Sequence, residues 1–311
     1  MNVVSLFSGI GGLDEGFIKA GFNIIWANDF DRYAVETYRA NYDNEIVLGD
    51  INKIELDSIP DFDVLIGGFP CQPFSMMGHE LGFEDARGTL FFRIAEIIKY
   101  KQSLGKGPSA VVLENVRSLR THDNGNTFRT IKKILEEDLG LTVFDKILNT
   151  ADYGIPQIRN RTYIVCFENK NASFSFPESV PLQLTLQDLL EQDVEEKYFL
   201  SDKILPTILS NGTGGYKAKS EIDRSIARPL CATMGKMHRA CQDNYVTQKG
   251  RVRKLTPREC ARLQGFSDDF VIPVSNGQAY KQFGNAVTVN VSQAVATGVR
   301  HELEKLGEWH Q

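Results

Sequence analysis

The sequence predicts an α/β protein built on a doubly wound, mainly parallel sheet, followed by a smaller and more irregular second domain. Three observations predict it. Short β-rich apolar runs alternate with amphipathic stretches through roughly the first half of the chain, the pattern of βαβ units. A glycine-rich turn, "LFSGIGGL" (6–13), separates the first such run from the first amphipathic stretch. Around residue 170 the alternation stops.

In chain order, "VVSLF" (3–7) reads as a buried strand and "LDEGFIKAG" (13–21) as a helix stopped by Gly21. "NIIWAND" (23–29) is the next strand and "DRYAVETYRANY" (31–42) the next helix. "EIVLGD" (45–50), "DVLIGG" (63–68), "AVVLENV" (110–116) and "RTYIVCF" (161–167) are further strands, with helices over 90–101 and 128–139 between them. Past residue 170, "KNASFSFPESVP" and "SNGTGGYKAKS" (210–220) are loop-like. "TPRECARLQG" (256–265) is a helix with Thr256 as N-cap, Pro257 at the first helical position, Glu259 completing a capping box and Gly265 as the stop. The stretch 286–306 is apolar at helical spacing and is expected to pack back on the first domain.

The chain of 311 residues is long enough for one large domain or two. Its 42% hydrophobic and 24% charged residues suit a soluble globular protein, and no apolar run is long enough for a membrane helix. The N-terminus carries no signal-peptide pattern. Five cysteines (71, 166, 231, 241 and 260) without a CxxC pair argue against a disulfide framework or a thiolate metal site and for a reducing cytoplasm. The net charge of −5 is unevenly spread: residues 217–262 hold twelve Lys and Arg against four acids, a local excess of eight positive charges on a body of −13. A basic block on an acidic body suits a polyanion-binding face.

The chemistry-bearing residues fall at the carboxyl ends of the expected strands, where open α/β sheets bind ligands. Gly9, Gly11 and Gly12 let a ligand approach the backbone at a helix N-terminus, and their G-x-G-G spacing departs from the dinucleotide G-x-G-x-x-G. Asp29 ends the second strand, where a carboxylate can hold ribose hydroxyls, and Asp50 ends the third, where one can accept from an adenine amino group. Three strand ends in succession point to a nucleoside cofactor. "GGFPCQPFS" (67–75) holds Cys71 between prolines just past the fourth strand, a stiff setting for a nucleophilic thiolate. Glu114 ends the next strand, and Gln157, Arg159 and Arg161 alternate, so that a strand would turn all three to one side.

"LFSGIGGL", "GGFPCQPFS", "ENV" (114–116), "QIRNR" (157–161), "LTPRECARLQGF" (255–266) and "QAYKQFGNAV" (278–287) occur in this order. This set resembles the ordered motifs of the bacterial cytosine-C5 DNA methyltransferases, Pro-Cys enzymes dependent on S-adenosylmethionine, over nearly the whole chain except about 170–250. The resemblance implies a Rossmann-like methyltransferase fold, with residues 1–175 and 275–311 as the catalytic, cofactor-binding domain and 176–274 as the target-recognition domain. It implies methyl transfer to carbon 5 of a cytosine flipped out of duplex DNA, within a restriction-modification system, by a protein acting as a cytoplasmic monomer at the nucleoid and using no metal. Cys71 matches the nucleophile, Glu114 the residue at N3 and the amino group of the base, and Arg159 and Arg161 the pair that holds it.

By the same resemblance Phe7, Gly9, Ile10, Gly12 and Leu13 form the cofactor turn, Asp29 takes a place often held by Glu, and Phe30 one often held by Trp. Asp50 and Ile51 match the adenine-edge pair, Pro70 and Leu90 flank the methionine end, and Asn285 lies near the cofactor. Ser5 replaces an Asp common before the turn and receives no role. Ser75 matches a residue near the DNA phosphate, Gln157 is grouped with the DNA contacts, and residues 76–89 look like the mobile loop that closes on DNA. Within "RPLCATMGKMHRACQDNYV" (228–246), Thr233 stands in the base-reading segment, and Lys236, Arg239, Gln242 and Asn244 have the donors for base edges or phosphates. Two other readings are open to the same motifs: a transfer-RNA cytosine-C5 methyltransferase from a branch of the same family, and a catalytically dead DNA-binding relative. The intact Cys71, Glu114, Arg159 and Arg161 speak against the second.

Overall fold

Seven strands form the central sheet of the computed structural model, which describes residues 1–70, 90–211, 218–236 and 239–310. They are β1 (Asn2–Leu6), β2 (Asn23–Asp29), β3 (Glu45–Leu48), β4 (Val64–Gly68), β5 (Ala110–Val116), β6 (Thr142–Asn149) and β7 (Asn160–Phe167), in the spatial order β3-β2-β1-β4-β5-β7-β6. β1 to β5 pair in parallel, and β7 joins β5 antiparallel. The order reverses between β1 and β4, so this is a doubly wound sheet whose switch point lies at the carboxyl ends of those two strands. Cys71 and Ser75, with the expected loop 76–89, lie outside the described residues.

Two compact units divide the chain: Met1–Leu148 with Asn160–Glu178 and Val291–Gln311, and Asn149–Arg159 with Ser179–Asn290. In the first, α1 (Gly12–Lys19), α2 (Arg32–Arg39), α3 (Leu90–Ser103) and α4 (Asn126–Lys133) fall between strands as the alternation predicts. β5 is buried almost throughout, as a central parallel strand must be. Its Val111 and Leu113 share a core with Leu6 and Leu65 of the sheet, Ile94 and Ile98 of α3, and Ile131 of α4. The helix expected over 128–139 holds its α geometry only to Lys133 and widens into a π turn over Ile134–Asp138. β6 was not legible in the sequence because most of "TVFDKILN" is only half-buried, so no alternation of apolar and polar residues marks it.

The second unit holds α5 (Leu205–Ile208), β8 (Tyr245–Gln248), β9 (Arg251–Lys254), α6 (Pro257–Leu263), α7 (Asn276–Asn285) and the first residues of α8 (Val289–Leu306). β8 and β9 form an antiparallel hairpin closed by Lys249 and Gly250, both at positive φ, as a two-residue mirror-image turn requires. α6 carries the expected capping box: Thr256 Oγ1 accepts from the Glu259 amide, and Glu259 accepts from the Thr256 amide. Residues 149–159 and 275–290, expected with the catalytic domain, group with this unit. The reason is local bonding, since Gln157, Arg159 and Tyr280 all spend their polar atoms on its backbone. The remainder of α8 belongs to the first unit, where Ser292 Oγ donates to Leu13 O at 2.6 Å.

Candidate active site

The glycine turn begins with Phe7 at φ +56°, an uncommon conformation for a non-glycine residue, followed by Gly9 and Gly11, also left-handed. Gly11 is required for a second reason: any Cβ there would overlap the Tyr42 ring, whose Oη donates to Gly11 O at 3.2 Å. The turn is tied to β2, because Ser8 N donates to Asn28 O at 3.0 Å and Gly9 N to Asp29 Oδ2 at 2.8 Å. Ile10 and Leu13 are buried, so their side chains hold the turn down, with Gly11 and Gly12 buried beside them and only Phe7 and Gly9 half-exposed.

Asp29 is buried, and its other oxygen accepts from Asp31 N at 2.8 Å. Burial raises its pKa above the usual carboxylate value, against the lowering effect of these amides. Two occupied positions on a carboxylate leave lone pairs for further donors. Beside it Phe30 is 73% exposed, a large aromatic face left open at a strand end. At the end of β3, Asp50 is exposed and accepts from Asn52 N and Nδ2, both at 3.1 Å, while Ile51 is buried behind it. A carboxylate with spare lone pairs, an open aromatic face and a glycine turn at three neighbouring strand ends fit a nucleoside cofactor.

Glu114 lies beside Gly68 in the parallel register of β4 and β5, and Gly68 is three residues before Cys71 in the chain. It is 7% exposed, and its Oε1 is 3.0 Å from Arg161 Nε. β7 brings Arg161 opposite Val116, which places the guanidinium at the carboxyl end of β5. Asn115, in "ENV" but given no role from the sequence, is buried and donates from Nδ2 to Phe69 O at 2.8 Å. That bond fixes the backbone leading into Pro70 against β5. Pro70 is exposed, and Leu90, half-buried, opens α3.

The expected alternation of Gln157, Arg159 and Arg161 on one face is only partly met. Gln157 and Arg159 do share a face, and they clasp Leu230: Gln157 Oε1 accepts from its amide at 2.8 Å and Arg159 Nη1 donates to its carbonyl at 3.0 Å. Gln157 is fully buried and also donates to Leu263 O at 2.7 Å, so its amide braces the chain where a DNA contact was expected. Arg159, 2% exposed, donates further to Gly284 O and Ala286 O at 3.0 and 2.9 Å. Arg161 belongs to β7, which begins only at Asn160, and turns to Glu114 instead.

Thr233, Lys236, Arg239 and Gln242 are exposed in the segment that follows Leu230, and Asn285 is exposed at the end of α7. Asn244, expected among the base or phosphate donors, is buried and exchanges two hydrogen bonds with the Arg228 backbone. The local positive charge is also smaller than its count suggests. Lys219, Arg224 and Arg228 converge on Glu221, and Lys249, Arg251, Arg253 and Arg262 pair with Asp193, Glu196, Glu259 and Asp268. Among the described residues neither Lys236 nor Arg239 is paired with an acid, no group of three or more His, Cys, Asp or Glu is placed to hold a metal, and no helix is long and apolar enough to cross a membrane.

A doubly wound sheet with a glycine turn at its switch point, a strand-end aspartate and a glutamate–arginine pair one strand past a Pro-Cys sequence defines the class of α/β methyltransferases. The family model for C-5 cytosine-specific DNA methylases matches residues 1–301, and the chain belongs to that family. It is therefore a DNA cytosine-C5 methyltransferase. It is 45% identical over 306 residues to the type II methyltransferase M.NgoBI of Neisseria gonorrhoeae, covering 94% of this chain and 90% of that one. It is 38% identical over 321 residues to M.HhaI of Haemophilus parahaemolyticus, covering 97% and 95%. Among solved structures it is similar to the methyltransferase EhMeth of Entamoeba histolytica, with TM-score 0.77 at 20% identity over 98% of each chain, which bears on the fold alone. Relatives named as type II methyltransferases favour neither the transfer-RNA reading nor the inactive one.

Proposed function

We propose that the protein takes its methyl group from S-adenosylmethionine and delivers it to a cytosine flipped out of duplex DNA, through a covalent adduct on Cys71. The observation that carries this is the Glu114–Arg161 pair, held in strand register with the backbone that leads into Cys71. Flipping follows from the chemistry, since neither face of carbon 6 is open inside a base stack.

Cys71 as thiolate forms a bond to carbon 6, and the displaced electron pair moves toward N3 and carbon 5. Glu114, placed to meet N3 and the amino group, protonates or polarises the ring as that charge builds. Arg161 fixes Glu114 and offers its remaining guanidinium donors to the base. S-adenosylmethionine would supply an electrophilic methyl to the carbon 5 electron pair, its methyl–sulfur bond breaking so that S-adenosylhomocysteine leaves. Loss of the carbon 5 proton to a base then expels the Cys71 thiolate and restores the aromatic ring. Asp29 would hold the ribose hydroxyls, Phe30 would cover the adenine and Asp50 with Ile51 its edge, above the turn of Phe7, Gly9, Ile10, Gly12 and Leu13. Pro70, Leu90 and Asn285 would close the methionine end, and Ser75 would meet the phosphate beside the flipped base.

We assign Arg159 and Gln157 to organising the chain through Leu230, and base and phosphate contacts to Thr233, Lys236 and Arg239. The companion readings are a monomeric protein working in the cytoplasm and a place in a restriction-modification system, the latter supported by the bacterial type II relatives. The test is duplex DNA carrying 5-fluorocytosine, with S-adenosylmethionine present. Fluorine cannot leave as a proton does, so the adduct persists, and peptide mass mapping should find it on Cys71. An adduct on Cys166, Cys231, Cys241 or Cys260 would overturn the assignment. Bisulfite sequencing of DNA from cells expressing the protein gives the target sequence independently.

A further inference from the structure

We propose that Asp14 is a positioning residue beneath the cofactor turn and that it gives up a proton when S-adenosylmethionine binds; this rests on the cofactor reading above. Asp14 is the third residue of α1, two positions past Gly12, and is completely buried. On one side Tyr38 Oη of α2 donates to its Oδ1 at 3.2 Å, and Asn44 Nδ2 donates to Tyr38 Oη at 3.1 Å. On the other side Ser8 Oγ donates to Ser5 Oγ at 3.0 Å, which leaves the Ser5 proton to favour a charged Asp14. Oδ2 completes no hydrogen bond. Ser8 and Gly11 bracket the turn itself, and Tyr42, just past α2, bonds Gly11 O. One buried carboxyl thus stands in the middle of the polar groups that tie the turn to α2.

An incompletely bonded buried carboxylate is costly, and the neutral acid is favoured. Burial pushes Asp14 up to about 6, partly opposed by the Ser5 and Tyr38 hydroxyls. Among the described residues, the ionisable groups acting on Asp14 or on its tyrosine neighbours are Tyr38, Tyr42, Asp29 at the end of β2 and Glu15 of α1, each neutral or acidic. The hydrogen bonds allow both protonation states. With Asp14 charged, Tyr38 donates to it and accepts from Asn44. With Asp14 neutral, its own O–H can donate to Tyr38, whose proton turns to Asn44 Oδ1 at 3.3 Å.

S-adenosylmethionine carries a sulfonium and an ammonium against one carboxylate, a net positive charge. A cation seated on the turn favours the Asp14 carboxylate, so binding and proton loss are linked, and affinity rises with pH until Asp14 is ionised in the free protein. S-adenosylhomocysteine has lost the sulfonium charge and draws the proton more weakly. The same linkage therefore favours cofactor over product in the pH range where Asp14 titrates.

Isothermal titration of the whole protein with S-adenosylmethionine, repeated in buffers of different ionisation enthalpy, counts the protons released. Expected is a release approaching about half a proton per site near the Asp14 midpoint and fading toward zero about two pH units above it. S-adenosylhomocysteine should release less, and Asp14→Asn should bind with the release largely gone. Release undiminished in Asp14→Asn, or wild-type binding with no proton exchange at any pH, overturns the proposal while leaving the cofactor reading intact. A wild-type protein that does not bind S-adenosylmethionine removes the cofactor reading and this inference together. Should Asp14→Asn fail to fold, Tyr38→Phe decides: losing a donor to the carboxylate should move the release maximum to higher pH, and an unmoved profile overturns the proposal.

Discussion

Arg161 Nε lies 3.0 Å from Glu114 Oε1, joining the antiparallel β7 to the end of the central strand β5. The glutamate could otherwise adopt several rotamers. The ion pair selects one, and Asn115, the next residue in the chain, holds the backbone of Phe69 just past the end of the adjoining strand. Gln at position 114 keeps the hydrogen-bonding shape and cannot supply an acid proton. Glu114→Gln should retain DNA binding and lose single-turnover methylation by ~10²–10⁴, the range expected for general acid catalysis. A rate within a few-fold of wild type would leave Glu114 a positioning residue and move the acid role elsewhere.

Arg253 and Glu259 form a doubly hydrogen-bonded pair, at 2.6 and 2.8 Å, with both side chains fully buried. Glu259 also accepts from the amides of Thr256 and Glu191. Removing one partner strands a buried charge, so Arg253→Ala should destabilise by ~3–5 kcal/mol in denaturant unfolding. Arg253→Met with Glu259→Leu should recover much of that loss. Equal losses in the single and double variants would mean that the remaining bonds of Glu259, and not the stranded charge, set the cost.

Lys236 and Arg239 are exposed in the segment that follows Leu230, and no described acid is paired with either. Each phosphate contact contributes ~−0.9 to the slope of log K against log salt. Lys236→Ala or Arg239→Ala should therefore make the slope shallower by about 1 if the residue meets a phosphate, and should relax sequence preference at unchanged slope if it reads a base. Binding measured at four salt concentrations on cognate and substituted duplexes separates the two. Neither effect in either variant would move DNA recognition out of this segment.

Asp14 also predicts a pH dependence of stability. Its carboxyl titrates near 3.8 in a model peptide and is pushed up to about 6 in the folded protein. Between these values the native state binds the extra proton, so this contribution to stability falls as pH rises from near 4 to near 6 and is flat above. At pH 7 to 8 the cost is ~3 kcal/mol, from ~1.4 kcal/mol per pKa unit. Asp14→Asn, unfolded by denaturant across this range in the absence of cofactor, should lose that slope. A slope identical to wild type would place the raised pKa on another group, Asp29 being the nearest acid with a raised value.

The sequence by itself determined the strand and helix alternation of the first 133 residues and the strand over 161–167, because apolar periodicity and chain alternation are local signals that a sheet then only has to satisfy. It also determined the glycine turn, the capping box of α6 and the family, since each is written in contiguous residues. Tertiary structure decided the rest. The half-buried β6 and the Lys249–Gly250 hairpin carry no strong periodicity and exist through their partners. Only the folded chain could send Arg159 to the carbonyls of Leu230, Gly284 and Ala286 while Arg161, two residues on, reaches Glu114. Spacing states which side chains share a face, and long-range hydrogen bonding decides what that face meets. The basic block shows the same limit: sequence counts charges, and the fold sets which of them already have an acid beside them.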